Sequence, residues 1–226
     1  LLEKEQPDTF VGPPVLLLSL LRLQPESSLK RALVSGDACP AGVMSEIEKL
    51  LDSRLYPHYG SREMGLGGAV TCPAFAGMHL RENDILAEIL DEEGRPLPPG
   101  EWGELVITTL EAEAMPLIRY RTGDRTRFLP DPCPCGSSLA RLDAVHRKGT
   151  ESRMEDLDDL LFRHPEVVDY QAFLEKDRLR IRGFVTGEIE NLPEHWRGTA
   201  LDYQWKQISR EDRPCCRGKR GIRTER

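Results

Sequence analysis

The sequence predicts a mixed α/β protein: a parallel βαβ layer, then a small antiparallel β subdomain, then a small α+β C-terminal domain. Three observations predict it. Short apolar runs flank a helical repeat within the first seventy residues. From about Gly68, β-rich runs punctuated by glycine and proline replace that pattern. Beyond about Val145 helical spacing returns and leads into two further runs of strand type.

Ala32-Leu33-Val34 is a short apolar run that stops at Ser35-Gly36-Asp37, as a buried strand does on entering a turn. Pro40 then occupies a position favoured at a helix start, and Val43, Ile47, Leu50 and Leu51 follow at helical spacing. Leu55-Tyr56 and Pro57-His58-Tyr59-Gly60 form a second strand entering a glycine turn. Strand, helix and strand over this length make the usual unit of a parallel sheet. Both turns then fall at the carboxyl ends of the strands, the edge where open α/β sheets bind ligands. Gly36-Asp37 and Tyr59-Gly60-Ser61-Arg62-Glu63 are thereby placed on one rim. Further on, Ile85–Leu90 leads into the turn signal Asp91-Glu92-Glu93-Gly94. Glu104–Thr109 and Leu117–Arg121 are further β-rich runs. In the last third, Leu157, Leu160 and Leu161 have helical spacing, and Val167–Tyr170 and Leu179–Phe184 read as strands.

Composition narrows the function. Hydrophobic residues are 39% and charged residues 31% of the 226, and the net charge is −7, a globular and acidic chain for which wholesale nucleic-acid binding is disfavoured. With aromatic content at 6%, little is available for base stacking. The longest aliphatic run, Val15–Leu18, extended past Ser19 into Leu20-Leu21, is far short of the ~20 residues a membrane span needs. The first residues lack the pattern of a secretory signal, and the chain is expected to begin inside a longer protein. Six cysteines without such a signal point to a reducing, cytoplasmic setting and to metal binding before disulfides. From Trp205 to Arg226 eight Lys/Arg stand against three Asp/Glu. That basic segment is expected either as a disordered arm or as a stretch that meets an anion.

Three constellations carry chemistry. Cys133-Pro134-Cys135-Gly136 brings two sulfurs together on a tight turn, and Cys72 and His79 offer two more donors upstream. The four make a tetrahedral Cys3His set suited to Zn²⁺, closed and therefore structural. Spacing alone leaves this equal to buried structural cysteines and a surface histidine. Carboxylates follow: Glu63 at the rim, and Asp124 closing Arg121-Thr122-Gly123-Asp124 at a strand end. Such residues are usually turn formers. Converging on a cleft, one suits Mg²⁺ on a phosphate and the other suits ribose hydroxyls. Last, in Arg217-Gly218-Lys219-Arg220-Gly221-Ile222 a lysine flanked by glycine is able to approach a phosphate, against the alternative of a solvated basic tail.

In this order the pieces resemble the adenylate-forming acyl-CoA synthetases, and most closely the phenylacetate–CoA ligase family. The stretches that carry the resemblance are Tyr59-Gly60-Ser61-Arg62-Glu63-Met64-Gly65, Cys72, Gly77-Met78-His79-Leu80, Gly103-Glu104-Leu105-Val106, Ala114–Asp124 and Cys133-Pro134-Cys135-Gly136. Val11-Gly12-Pro13-Pro14 and Ser35-Gly36-Asp37-Ala38 match upstream family sequence. The resemblance implies conversion of a carboxylic acid and ATP into an acyl adenylate, followed by acyl transfer to coenzyme A.

It also implies roles. Glu63 matches the glutamate associated with Mg²⁺, and Lys219 is a candidate for the C-terminal lysine of adenylation. Gly36, Asp37, Tyr59, Gly60, Ser61, Asp124 and Arg147 are the expected nucleotide-binding residues, with Asp124 toward the ribose and Arg147 near the interdomain hinge. Cys72, His79, Cys133 and Cys135 match a zinc pattern of the family. Residues 1–70 then correspond to the C-terminal part of the large nucleotide-binding domain, 71–145 to a β subdomain with the zinc site, and 146–226 to a small mobile domain.

The chain resembles only the C-terminal half of family members, and none of its stretches matches their Ser/Thr/Gly-rich phosphate loop. Asp37 stands where a glutamate is commoner, and Lys148-Gly149-Thr150-Glu151 replaces the usual acidic pair at the hinge. The expected ligands are thus a small-molecule carboxylic acid, ATP or AMP, Mg²⁺, coenzyme A and a structural zinc, with no nucleic acid, no membrane, and a homodimer as the oligomer allowed. The alternative is a non-catalytic, zinc-stabilised remnant that binds nucleotide or a protein partner.

Overall fold

The computed structural model describes residues 2–65, 67–147, 150–209, 211 and 220–224. In chain order the elements begin with α1 (Leu2–Glu5), β1 (Thr9–Gly12), α2 (Pro14–Leu23), β2 (Arg31–Val34), α3 (Ala41–Leu51) and β3 (Tyr56–Tyr59). A 3-10 turn over Arg62–Met64 precedes β4 (Ala69–Thr71), β5 (Met78–Leu80), β6 (Ile85–Leu90), β7 (Gly103–Thr109), β8 (Tyr120–Thr126), β9 (Arg141–Leu142) and β10 (His146–Arg147). The last third holds α4 (Thr150–Leu161), β11 (Val167–Glu175), β12 (Arg178–Val185), β13 (His195–Trp196), β14 (Thr199–Gln207) and β15 (Ile222–Thr224). The mixed α/β class expected from the sequence is the one observed. Among the described residues no helix is long and apolar enough to cross a membrane.

The chain divides into two compact units, one of residues 33–38 and 56–148, the other of 1–32, 39–55 and 149–226. In the first, the end of β2 runs parallel to β3, with Leu33 opposite Tyr56 and Val34 opposite Pro57. From β3 onward the pairing turns antiparallel through β4, β5 and β9. A second antiparallel sheet has the order β10-β8-β7-β6. The core of this unit joins Met64, Ala69, Met78 and Leu80 with Ile85, Ile89, Leu105, Ile107 and Leu142, and Tyr59 and Tyr120 pack at its margin. Removing such side chains from water supplies its stability, at ~25 cal/mol per Å² of apolar surface.

Within this unit β8 departs from regular pairing. Glu104 faces Arg125 and Val106 faces Arg121, so Leu105 alone stands opposite Thr122, Gly123 and Asp124. The bulge is closed by Thr122, whose hydroxyl donates to the Leu105 carbonyl over 2.8 Å, and Gly123 takes φ +76° there. Asp124 therefore lies inside a strand at a bulge, not at the strand end expected from sequence. The β-run expected over Leu117–Arg121 is correspondingly shifted to 120–126.

The second unit is built on helices and a five-stranded sheet of order β13-β14-β12-β11-β15. In α3 the buried positions are Val43, Ile47 and Leu51, one stripe at i, i+4 and i+8, whereas Leu50 is exposed. Pro40 caps α3 instead of opening it, its carbonyl accepting from the Met44 N–H at 2.9 Å. In α4, Leu157 and Leu161 are fully buried. Arg22 at the end of α2 is buried and donates to the carbonyls of Phe162 and Val167. The basic segment after Trp205 is not simply an arm. Trp205 lies in β14, β15 pairs parallel with β11, and Arg220 is buried in ion pairs with Asp158 and Asp169 at 2.6 and 2.9 Å.

Candidate nucleotide rim and metal centre

Everything described next belongs to the first unit. At the end of β3, the Tyr59 hydroxyl donates to Asp124 Oδ2 at 2.7 Å. On the neighbouring strand Arg147 is the register partner of Asp124, its Nε 3.5 Å from Oδ1. The carboxylate, 7% exposed, is thus fixed from two sides. Among the described residues each oxygen has one such partner and keeps a lone pair for a ligand. Burial, and then the charge of Asp124, push the Tyr59 phenol far above its ordinary value, so it remains a donor at every physiological pH.

The chain then enters the loop that carries Glu63. Its base is pinched by glycines: a Cβ on Gly60 would stand 3.0 Å from the Gly67 Cα and 3.3 Å from the Gly68 nitrogen. Only glycine lets the two backbone segments approach this closely. The Gly68 N–H donates to the Tyr59 carbonyl at 2.9 Å, and the Arg81 guanidinium donates to the Met64 carbonyl at 2.8 Å. Glu63 is half-buried in the 3-10 turn so held. The Ser61 hydroxyl is buried and has no protein hydrogen-bond partner among the described residues. A buried polar group without a partner is costly unless a ligand or water satisfies it.

On the adjacent loop, Gly36 adopts φ +87° and Asp37 Oδ1 accepts from the Ala38 N–H at 3.0 Å. The Ser35 hydroxyl is 2.8 Å from His58 Nδ1. Tyr59, Asp124 and Arg147 are thus brought into direct contact. Gly36, Asp37, Gly60, Ser61 and Glu63 occupy the loops after β2 and β3. Lys219 lies outside the described residues. Sequence reasoning missed His58 and Arg81. Adjacency to Tyr59-Gly60 was the one available signal for His58, and Arg81 had none.

The metal centre is built from two turns and a strand. The Phe75 N–H donates to the Cys72 carbonyl at 2.9 Å and the Gly136 N–H to the Cys133 carbonyl at 3.0 Å, so each cysteine opens a hydrogen-bonded turn. His79 projects from β5. The donor atoms of Cys72, His79, Cys133 and Cys135 all lie within 4.8 Å of one another. Cys72 Sγ is 3.6 Å from Cys133 Sγ, and Cys135 Sγ is 3.4 Å from His79 Nε2. A tetrahedron with Zn–S of ~2.3 Å has edges of about 3.8 Å, so the spacing suits one such ion. All four cysteines among the described residues are free thiols. The backbone N–H of Cys135, with thiol and imidazole neighbours, lowers the Cys133 thiol to about 6. A nearby thiolate raises Cys135 despite the Ser137 N–H that bonds it. One sulfur thereby ionises easily, as a metal ligand must.

Comparison with known proteins adds to this geometry. The model of the AMP-binding enzyme family matches residues 1–111. Phenylacetate-coenzyme A ligase of Thermus thermophilus is 32% identical over 164 residues, 67% of this chain and 37% of that protein. The enzyme of the same name from Aromatoleum evansii is 30% identical over 209 residues, 86% of this chain and 47% of that one. The chain thus spans between about a third and a half of the length of these curated relatives. Among solved structures, 2-hydroxyisobutyryl-CoA ligase in complex with R3-HIB-AMP superposes with a TM-score of 0.74 at 20% identity, covering 98% of this chain and 56% of that one. A benzoate CoA ligase from Burkholderia xenovorans gives 0.54 at 18% identity, covering 95% and 50%. At such identities the structural likeness speaks for the fold.

Proposed function

We propose that this chain, a member of the adenylate-forming acyl/aryl-CoA ligase superfamily, supplies the C-terminal part of an ATP-dependent carboxylate–CoA ligase of the phenylacetate type. The observation that carries the reading is the Asp124 carboxylate held by Arg147 and by Tyr59, the latter next in sequence to a loop whose Ser61 hydroxyl is buried and has no partner among the described residues. A clamped carboxylate with spare lone pairs is what two vicinal ribose hydroxyls require, since both donate.

In this reading Asp124 accepts from the ribose, Tyr59 and Gly60 lie along the adenine with Gly36 and Asp37, and the Ser61 hydroxyl donates to the nucleotide. The substrate carboxylate oxygen attacks the α-phosphorus, the bond to the bridging oxygen breaks, and pyrophosphate leaves with the electron pair. The thiol sulfur of coenzyme A then attacks the acyl carbon, the bond from that carbon to the phosphate oxygen breaks, AMP leaves with the electron pair, and the thiol proton passes to solvent. Mg²⁺ on Glu63 would neutralise charge on the phosphate oxygens. Lys219 would place a cation where that charge develops, and such preorganised charge is the main catalytic device of phosphoryl chemistry. Zinc held by Cys72, His79, Cys133 and Cys135 would brace the β subdomain with no open position for chemistry. The division proposed for this chain is 1–70, 71–145 and 146–226, the last carrying Lys219 as the mobile part.

Carboxylate-dependent exchange of pyrophosphate into ATP by the natural gene product is the test, run across aryl and alkyl acids. Exchange with an aryl acid is expected. Nucleotide binding without exchange by any acid would favour the non-catalytic remnant, and absence of both would remove the ligase reading and leave only a remnant that binds a protein partner.

A further inference from the structure

His58 is set between three backbone segments of the rim. Its Nδ1 meets the Ser35 hydroxyl at 2.8 Å. On the other edge, a Cβ at Gly67 would stand only 2.2 Å from its Nε2, and one at Gly60 would be 3.3 Å from its Cε1. The imidazole therefore touches the loop after β2 through Ser35 and both legs of the Glu63 loop. No other side chain is placed against all three by the contacts described above. Partial burial, and then the nearby Arg81 charge, keep the ring below the usual histidine range and so uncharged near neutrality.

We propose that His58 is a positioning residue for the nucleotide: through its hydrogen bond to Ser35 it fixes Gly36-Asp37 against Tyr59-Gly60-Ser61. The inference rests on the reading that these two loops hold ATP. Neither His58 nor Ser35 need touch the ligand. Their bond sets how far apart the two loops stand, and a displacement of one loop by a fraction of an ångström costs affinity because binding energy depends on preorganisation.

The experiment is AMP binding by calorimetry, together with KM for ATP and for the acid in the exchange reaction, on the natural gene product. Ser35→Ala, His58→Ala, the double variant and His58→Asn are compared with the parent. One hydrogen bond removed predicts about a five- to tenfold rise in the AMP Kd and in KM for ATP, with KM for the acid unchanged. The double variant should be no worse than either single one, since both remove the same bond. His58→Asn, whose amide overlays the Nδ1 position, should recover most of the loss. Additive effects, no change in either single variant, or an Asn variant as impaired as Ala would overturn the proposal. If His58→Ala fails to fold, Ser35→Ala removes the same bond with the ring in place and decides the matter. A parent that binds no AMP would instead count against the ligase reading itself.

Discussion

Tyr59 and Asp124 lie 65 positions apart in the chain, yet the phenol of one donates to the carboxylate of the other across 2.7 Å. The bond ties the end of a central strand to a bulge in the neighbouring sheet. Tyr59→Phe leaves the ring packed on the core and removes only the donor. Asp124 keeps Arg147 but loses a buried partner, so stability should fall by about 1–3 kcal/mol in denaturant unfolding. AMP affinity should fall with it, and a variant indistinguishable from the parent in both assays would deny the bond a role.

The proposed metal-holding carboxylate and the proposed cation are tested separately. Glu63→Gln keeps shape and removes charge, and Lys219→Ala removes a cation. Each should slow pyrophosphate exchange by about 10²–10³-fold, the usual cost of losing one preorganised charge at a developing anion. Thermal unfolding should barely move for Glu63→Gln, because Glu63 lies in a loop turn outside the apolar core. Unimpaired exchange in both would remove these assignments.

Metal analysis should return one zinc per chain. Cys133→Ser, or a strong chelator, should release it and lower the unfolding temperature, since metal binding energy is folding energy at such a site. Affinity should also fall steadily as pH drops, first as protons compete for the raised Cys135 sulfur and, near about 6, also for Cys133. Zinc-free protein with an unchanged melting curve would rule the centre out.

For His58 the sign of the pH effect follows from its depressed value. Below about pH 6.5 the unfolded chain takes up a proton at this site while the folded one resists. The stabilisation is therefore complete above that pH and declines as pH falls toward the lower folded value. His58→Asn should flatten that part of the stability profile. A ring titrating at 6.5 or above by NMR would contradict this.

Arg220 offers a last test. Its guanidinium is buried against Asp158, Asp169 and the rings of Phe162 and Tyr170. Arg220→Ala removes the cation that the buried Asp158 and Asp169 share and should cost about 3–5 kcal/mol. A loss under 1 kcal/mol would mean that the cluster is wetter than its geometry implies.

The motifs were legible where local chemistry dictates local geometry. Ala32–Val34 is apolar and stops at a glycine turn, and it is a strand. Cys133–Gly136 is a tight turn because proline and glycine make it one. What escaped was set by distant partners. The 3-residue β4 and the 2-residue β9 are too short to show a period, and they exist because neighbours complete their hydrogen bonds. In β14 the signal was present and was passed over, since Leu201, Tyr203 and Trp205 alternate with the polar Asp202, Gln204 and Lys206. Arg220 looked like part of a solvated tail because its two carboxylates come from α4 and β11. No local pattern announces a contact made 51 and 62 positions away. Asp124 stood out in the sequence as a carboxylate closing a glycine turn at a strand end, whereas it lies at a bulge inside β8 that depends on pairing with β7.

That bulge sets a rule for natural and engineered variation. Three residues share the space opposite Leu105, so removing any one of them changes the parity of β8. Side chains on one side of the deletion would then trade faces relative to those on the other. Tyr120 and Arg121 would swap between core and solvent, or Asp124 would leave the interior. Point replacements at Thr122 should therefore be far better tolerated than a single-residue gap, and homologous chains that keep Asp124 should keep its distance from Tyr120 as well.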